Sequence, residues 1–154
     1  MSKRIAVVGV GLMGTSLARH LLAAGFAVTV HDLDRAKVEA IVKEGGKKAD
    51  SPDRIASQVD VIMLSLPNSH IVNEVVKDTL RLFETGKKGL VVIDTSTPDP
   101  EMSTQLAAQL RQRTIESGSQ REYEPRVFVG RRQPAGRRQE LLVDHPQTLL
   151  IHRL

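Results

Sequence analysis

The stretch Arg4-Ile5-Ala6-Val7-Val8-Gly9-Val10-Gly11-Leu12-Met13-Gly14 decides how the rest of the chain is read. Its first half is a short β-branched run without polar alternation, the pattern of a strand buried on both faces in a parallel sheet. Its second half is a G-x-G-x-x-G turn. Residues 12–24 carry it forward with Met13, Leu17, Leu21 and Ala24 spaced for an amphipathic helix that Gly25 ends. Strand and helix therefore meet at the glycines, each with its own task. Gly9 permits the tight turn, Gly11 has no Cβ to block an incoming pyrophosphate, and Gly14 lets the helix pack closely. Backbone N–H groups of the first helical turn, at Leu12 and Met13, supply an anion site together with the helix dipole.

Outward from this turn the same alternation continues. Residues 27–31 read as a second strand and 35–44 as a second helix, stopped by Gly45-Gly46. Ser51-Pro52 caps a short helix over 53–57, residues 59–66 form an apolar strand run ended by Pro67, and helical spacing returns through Ile71, Val75, Leu80 and Leu82. Residues 90–93 give a further strand, and Asp99-Pro100 opens a helix through Leu106 and Leu110. Strand-helix alternation with short connections favours right-handed crossovers, so the expected class is α/β: a doubly wound parallel sheet of Rossmann type.

A glycine turn alone is a weak signal, and a packing turn that binds nothing stays open. The context strengthens it, because Asp32 ends the second strand 21 positions after Gly11, as a dinucleotide site requires. Asp32 can accept hydrogen bonds from the adenosine ribose hydroxyls and would repel a 2′-phosphate. Leu33 stands where a reader of that phosphate would have arginine. The expected cofactor is NAD, with NADP less favoured; Arg35 is close enough in sequence to reach a phosphate, and His31 to bond nearby. Ser65, Asn68, Ser96 and Thr97 lie beyond the carboxyl ends of strands, where open α/β sheets bind ligands. Helix capping is the alternative task for Asn68 and Asp99, and Asp94 reads as structural.

Composition bounds the rest. The 154 residues suffice for one domain with a real core, not for a nucleotide-binding domain plus a separate substrate domain. At 40% hydrophobic and 26% charged the chain is of ordinary globular type. Without cysteine there is no disulfide, thiolate nucleophile or Cys-based zinc site, and no metal site is expected. No apolar run approaches the roughly 20 residues of a membrane span, and the N-terminus lacks the shape of a signal peptide, so a cytoplasmic location is expected. Residues 1–110 balance 13 Lys+Arg against 13 Asp+Glu, whereas 111–154 hold 9 against 5. All the excess positive charge, as arginine alone, lies in the tail.

Gly9-Val10-Gly11-Leu12-Met13-Gly14, with Ala18, Leu21 and Ala24-Gly25, resembles the N-terminal signature of the β-hydroxyacid dehydrogenase family, which includes 3-hydroxyisobutyrate dehydrogenase. Asp60-Val-Ile-Met-Leu-Ser-Leu-Pro67 is similar to that family's fourth strand and Leu-Pro turn. Asp94-Thr-Ser-Thr-Pro-Asp-Pro100 is similar to the Asp-x-Ser-Thr-x-x-Pro segment after its fifth. The joint spacing covers about two thirds of the chain. The resemblance implies that Leu66 and Pro67 line the cofactor, that Ser96 and Thr97 lie near the nicotinamide, and that the substrate is a small hydroxy acid or semialdehyde.

Past residue 112 the resemblance stops. The family's Asp-x-Pro-Val-Ser-Gly-Gly turn has no counterpart in Thr114-Ile-Glu-Ser-Gly-Ser-Gln-Arg-Glu-Tyr-Glu-Pro125, and no lysine follows Lys88 to match the family's catalytic lysine. His145 and His152 have no recognisable site around them, so the catalytic residues are unknown. The expected organisation is a dinucleotide-binding domain over 1–112 and an arginine-rich tail over 113–154, truncated or frameshifted relative to a full dehydrogenase. Arg131-Arg132 and Arg137-Arg138 would attract phosphates, but only Tyr123 and Phe128 are there to stack on bases, which argues against nucleic acid. Leu141-Leu-Val143 and Leu149-Leu-Ile151 leave docking on the core or on a partner subunit open, including a homo-oligomer. The two functional expectations are the cofactor half of an NAD-dependent oxidoreductase, needing a substrate domain to act, and a non-catalytic dinucleotide-binding or regulatory module.

Overall fold

The computed structural model describes residues 3–87, 89–96, 100–116 and 127–129. Thr97, Asp99, Ser117-Gly118-Ser119, Tyr123, His145, His152 and both apolar bursts of the tail lie outside the described residues. In chain order the elements are β1 (Arg4–Val8), α1 (Leu12–Ala23), β2 (Ala27–His31), α2 (Arg35–Lys43), β3 (Lys47–Lys48), a 3-10 turn (Pro52–Arg54) into α3 (Ile55–Gln58), and β4 (Val61–Leu64). There follow α4 (Ser69–Glu74), a π turn (Val75–Thr79), α5 (Leu82–Thr85), β5 (Val91–Asp94), α6 (Pro100–Glu116) and β6 (Val127–Val129). All strand pairs are parallel, in the order β3-β2-β1-β4-β5-β6. That is the doubly wound Rossmann order, with β1 central and the direction of winding reversing between β1 and β4.

β1 is buried on both faces, as its unalternating sequence predicts. Ala6 and Val8 join Ile62, Leu64, Val92, Leu106 and Leu110 in one core, and Val7 joins Val28, Val30, Ala18, Val38 and Ile41 in the other. Each fully buried Ile or Leu here stabilises the fold by roughly 2 kcal/mol. α1 and α2 cover the second core, while α3 to α6 cover the first. Both leading helices end alike. Gly25 donates to the Leu22 carbonyl and Phe26 to Leu21, then Gly45 donates to Val42 and Gly46 to Ile41. Gly25 and Gly45 hold positive φ of 81° and 104°, the left-handed geometry such a helix stop requires.

The structure adds detail at several places. The buried face of α1 runs through Gly14 and Ala18, with Leu21 and Leu22 half-buried, while Met13 and Ala24 are exposed. The helical run from Ile71 breaks into α4, the π turn and α5, because Leu80 bonds the Val75 carbonyl and Arg81 turns left-handed at φ 49°. The two-residue β3 carries no apolar pattern that a sequence reading could register. β6 pairs with β5 in register Ile93↔Phe128, and α6 runs to Glu116. Among the described residues no helix is long and apolar enough to cross a membrane.

At the amino ends of the strands Asp60 ties three segments together. It accepts from the Arg4 amide at 3.0 Å, the Arg4 guanidinium at 3.0 Å and the Lys87 ammonium at 2.9 Å, while its own amide and carbonyl bond Arg4 and Val91. The Arg4 hydrogen bonds, helped by Lys87, hold its carboxyl well below the usual range. A depressed folded-state pKa gives stability that is present above the unfolded value near about 4 and is lost as pH falls below it. Asp60→Asn should therefore lower the melting temperature at pH 7 and flatten its decline as the pH falls below about 4; an unchanged acid limb would refute the assignment.

Candidate dinucleotide site

The carboxyl ends of β1 and β4 flank the point where the winding reverses, and the glycine turn sits directly above it. Gly9 has φ 89°, and a Cβ there would run into the Ser65 carbonyl beyond β4. A Cβ on Gly14 would overlap the Gly9 carbonyl oxygen, so α1 rests on the turn itself at a distance only glycine allows. Gly11 differs from both, since nothing lies within 4 Å of where its Cβ would be. It is the N-cap of α1, and no side chain caps that helix. The three glycines thus divide as their spacing predicts: two for close approach within the protein, one leaving space outside it. The residues fit a pyrophosphate, because an open, uncapped helix start is an anion cradle that a side chain on Gly11 would fill.

Bonds to the neighbouring strands fix the turn. Asp32, beyond β2, accepts from the Val10 amide at 2.7 Å with one carboxylate oxygen and from the Asp34 amide at 2.8 Å with the other. It therefore clasps the glycine turn to the loop that starts α2. Each oxygen retains a lone pair for a further donor, so the clasp is compatible with a ribose hydroxyl. Thr15 adds a bond from its hydroxyl to the Val10 carbonyl at 2.9 Å, which the sequence alone did not single out. His31 is half-buried, and burial pushes its imidazole pKa down against the opposing pull of Asp32. Leu12 at 92% and Leu33 at 94% exposure stand clear of the core on either side of the turn, and Met13 is exposed beside Leu12.

Across the switch point the ends of β4 and β5 are linked. The Ser96 hydroxyl accepts from the Leu66 amide at 2.9 Å, the Ser96 amide donates to buried Asp94 at 2.9 Å, and the Thr95 hydroxyl donates to the Leu64 carbonyl at 2.8 Å. Ser96 thus sets the position of Leu66, half-buried next to exposed Pro67 and within 3.0 Å of the Gly9 Cβ direction. Asn68 accepts from the Ile71 amide and caps α4. The structure brings Gly9, Gly11, Leu12, Met13, Gly14, Asp32, Leu66, Pro67 and Ser96 to one end of the sheet. Among the described residues no cluster of His, Asp or Glu suits a metal. Gly14→Ala should cost about 3 kcal/mol in chemical denaturation through overpacking, and Gly11→Ala under about 1 kcal/mol as a changed N-cap; equal losses would contradict the division of tasks.

Residues 4–117 match the family described as the NAD binding domain of 6-phosphogluconate dehydrogenase. Among curated relatives, a probable 3-hydroxyisobutyrate dehydrogenase-like protein of Arabidopsis thaliana is 31% identical over 110 residues, covering 71% of this chain and 37% of the relative. The 2-(hydroxymethyl)glutarate dehydrogenase of Eubacterium barkeri is 31% identical over 115 residues, covering 75% and 38%. The crystal structure of 3-hydroxyisobutyrate dehydrogenase from Salmonella typhimurium is 27% identical with a TM-score of 0.67, covering 73% of this chain and 39% of that one. The chain thus spans less than two fifths of the length of these proteins. It belongs to the family of NAD-binding domains of the 6-phosphogluconate dehydrogenase type, and among them to those of the β-hydroxyacid dehydrogenases represented by 3-hydroxyisobutyrate dehydrogenase.

Proposed function

We propose that this chain binds NAD across the carboxyl ends of β1 and β4 and is the cofactor half of an oxidoreductase acting on a small 3-hydroxy acid or its semialdehyde. The observation that carries the proposal is the open cradle at Gly11, at an uncapped helix start beside the Asp32 clasp. The α1 amides receive the pyrophosphate, and Asp32 accepts from the adenosine ribose with the lone pairs its backbone clasp leaves over. Leu12 and Met13 cover the exposed side of the cofactor, and Leu66, held by Ser96, lines the nicotinamide end with Pro67; Thr97 belongs to the same segment. Bound NAD supplies the hydride acceptor. A reaction also needs a proton donor or acceptor at the substrate oxygen and a grip on its carboxylate. The relatives' names point to hydroxy acids as substrates of that kind.

No lysine follows Lys88, and the tail over 113–154 offers no segment like the family's substrate turn. A second reading, in which the chain binds the dinucleotide without turning it over, uses the same open cradle at Gly11. Titration with NADH should show saturable binding, and 3-hydroxyisobutyrate with NAD should give no turnover by this polypeptide alone; robust turnover would place a catalytic group within these residues. Gly11→Leu should weaken NADH binding by at least roughly tenfold, a loss of about 1.4 kcal/mol or more, with the melting temperature little changed. Unaltered affinity would refute the pyrophosphate placement.

A further inference from the structure

β5 ends in a buried acid, Asp94, which is 3% exposed and belongs to no ion pair among the described residues. One of its oxygens accepts from the Ser96 amide at 2.9 Å. Asp94 also lines a small cleft between α4 and α6, with Leu64, Asn73 and Met102 beside it. Taking a carboxylate out of water into such surroundings costs free energy unless hydrogen bonds or an opposite charge offset it. Stability therefore explains the residue poorly. What the carboxylate supplies is a fixed, charged acceptor that sets the backbone just past β5, and charge-assisted bonds of this kind hold their geometry better than neutral ones.

From Ser96 the connection runs to the rim of the crevice. The buried Ser96 hydroxyl accepts from the Leu66 amide at 2.9 Å, 30 positions away in the chain, and Leu66 Cδ2 stands 3.0 Å from where a Cβ on Gly9 would lie. Thr95 also bridges β5 to β4, but through the Leu64 carbonyl at the strand end, short of the rim. We propose that Asp94 is a positioning residue for the nicotinamide end of the cofactor, acting through Ser96 and Leu66 without touching the ligand. The inference rests on the reading that Leu66 lines that end. Asp94 fixes the Ser96 peptide, Ser96 fixes the Leu66 peptide, and Leu66 closes against the glycine turn. The crevice is thus fastened from two sides, by Asp32 beyond β2 and by Asp94 at the end of β5.

Binding of NADH compared with ADP-ribose, which lacks the nicotinamide, separates this role from a general contribution to folding. Asp94→Leu removes the acceptor at similar size, whereas Asp94→Asn keeps an acceptor oxygen without the charge. NADH should bind about tenfold more weakly to the Leu variant and about threefold more weakly to the Asn variant, with ADP-ribose within about twofold in both, the sizes expected for losing or weakening one charged hydrogen bond. Ser96→Ala should repeat the loss seen with Leu, and combining the two should cost no further NADH affinity, since both act along one path. If the Leu variant does not fold, the Asn variant decides on the same two ligands. Unchanged NADH affinity in the folded variants, or equal losses for both ligands, would overturn the role of Asp94 while leaving NAD binding intact. An unsubstituted chain that binds ADP-ribose as tightly as NADH would leave Asp94 nothing to position and overturn it too. Failure of that chain to bind NADH at all would overturn the cofactor reading itself, and this inference with it.

Discussion

The close approach of α1 to the turn that precedes it is the constraint on which the site depends. A side chain at Gly14 would occupy the space of the Gly9 carbonyl, and one at Gly9 would occupy that of the Ser65 carbonyl. Both contacts sit where β1 and β4 are paired side by side, so the helix start is set against two strand ends at once. Moving α1 outward to admit a methyl group would lift its amides away from the crevice. The anion cradle and the tight packing are therefore one geometric fact. Gly11 is free of this constraint, and its freedom leaves the crevice open.

Around this contact the polar bonds are few and specific. Asp32 joins the turn to the start of α2, while Ser96 joins the β4 end to the β5 end, each using backbone amides as donors. At the amino ends of the strands Asp60 gathers Arg4 and Lys87 in a partly exposed cluster. Exposed ion pairs stabilise weakly, so the hydrophobic cores on the two faces carry most of the fold. The polar bonds at the carboxyl ends serve position more than stability. They hold peptide groups at a solvent-facing rim, where apolar packing is incomplete and cannot do so.

Much of this arrangement was legible in the sequence, because it follows from local rules. The unalternating run at β1, the glycine spacing, the acidic residue ending β2 and the proline that starts α6 are each written in a few consecutive residues. Leu66-Pro67 and Ser96 were legible through their place after strands and through family resemblance. What was missed depends on contacts distant in sequence or on backbone detail. Lys47 and Lys48 form β3 only because Thr29 and Val30 lie alongside. The π turn has the same residue types as a regular helix. Met13 is as apolar as a core residue, yet the small side chains of Gly14 and Ala18 decide which face of α1 lies down. The helix-start signal at Asp34 was readable, but its engagement of Lys37 was not.

The Asp32 clasp has a consequence for how the site could change over time. Because one carboxylate holds the Val10 amide and, in the proposed complex, would also meet the ribose, replacing it would alter ligand preference and loosen the glycine turn together. Asp34 takes part in that clasp through its amide, while its side-chain oxygens reach only the Ala36 and Lys37 amides and the Lys37 ammonium of α2. A lineage drifting toward another dinucleotide through Asp32 would thus meet a steep path, since the change of preference and the loosening of the turn come in one step.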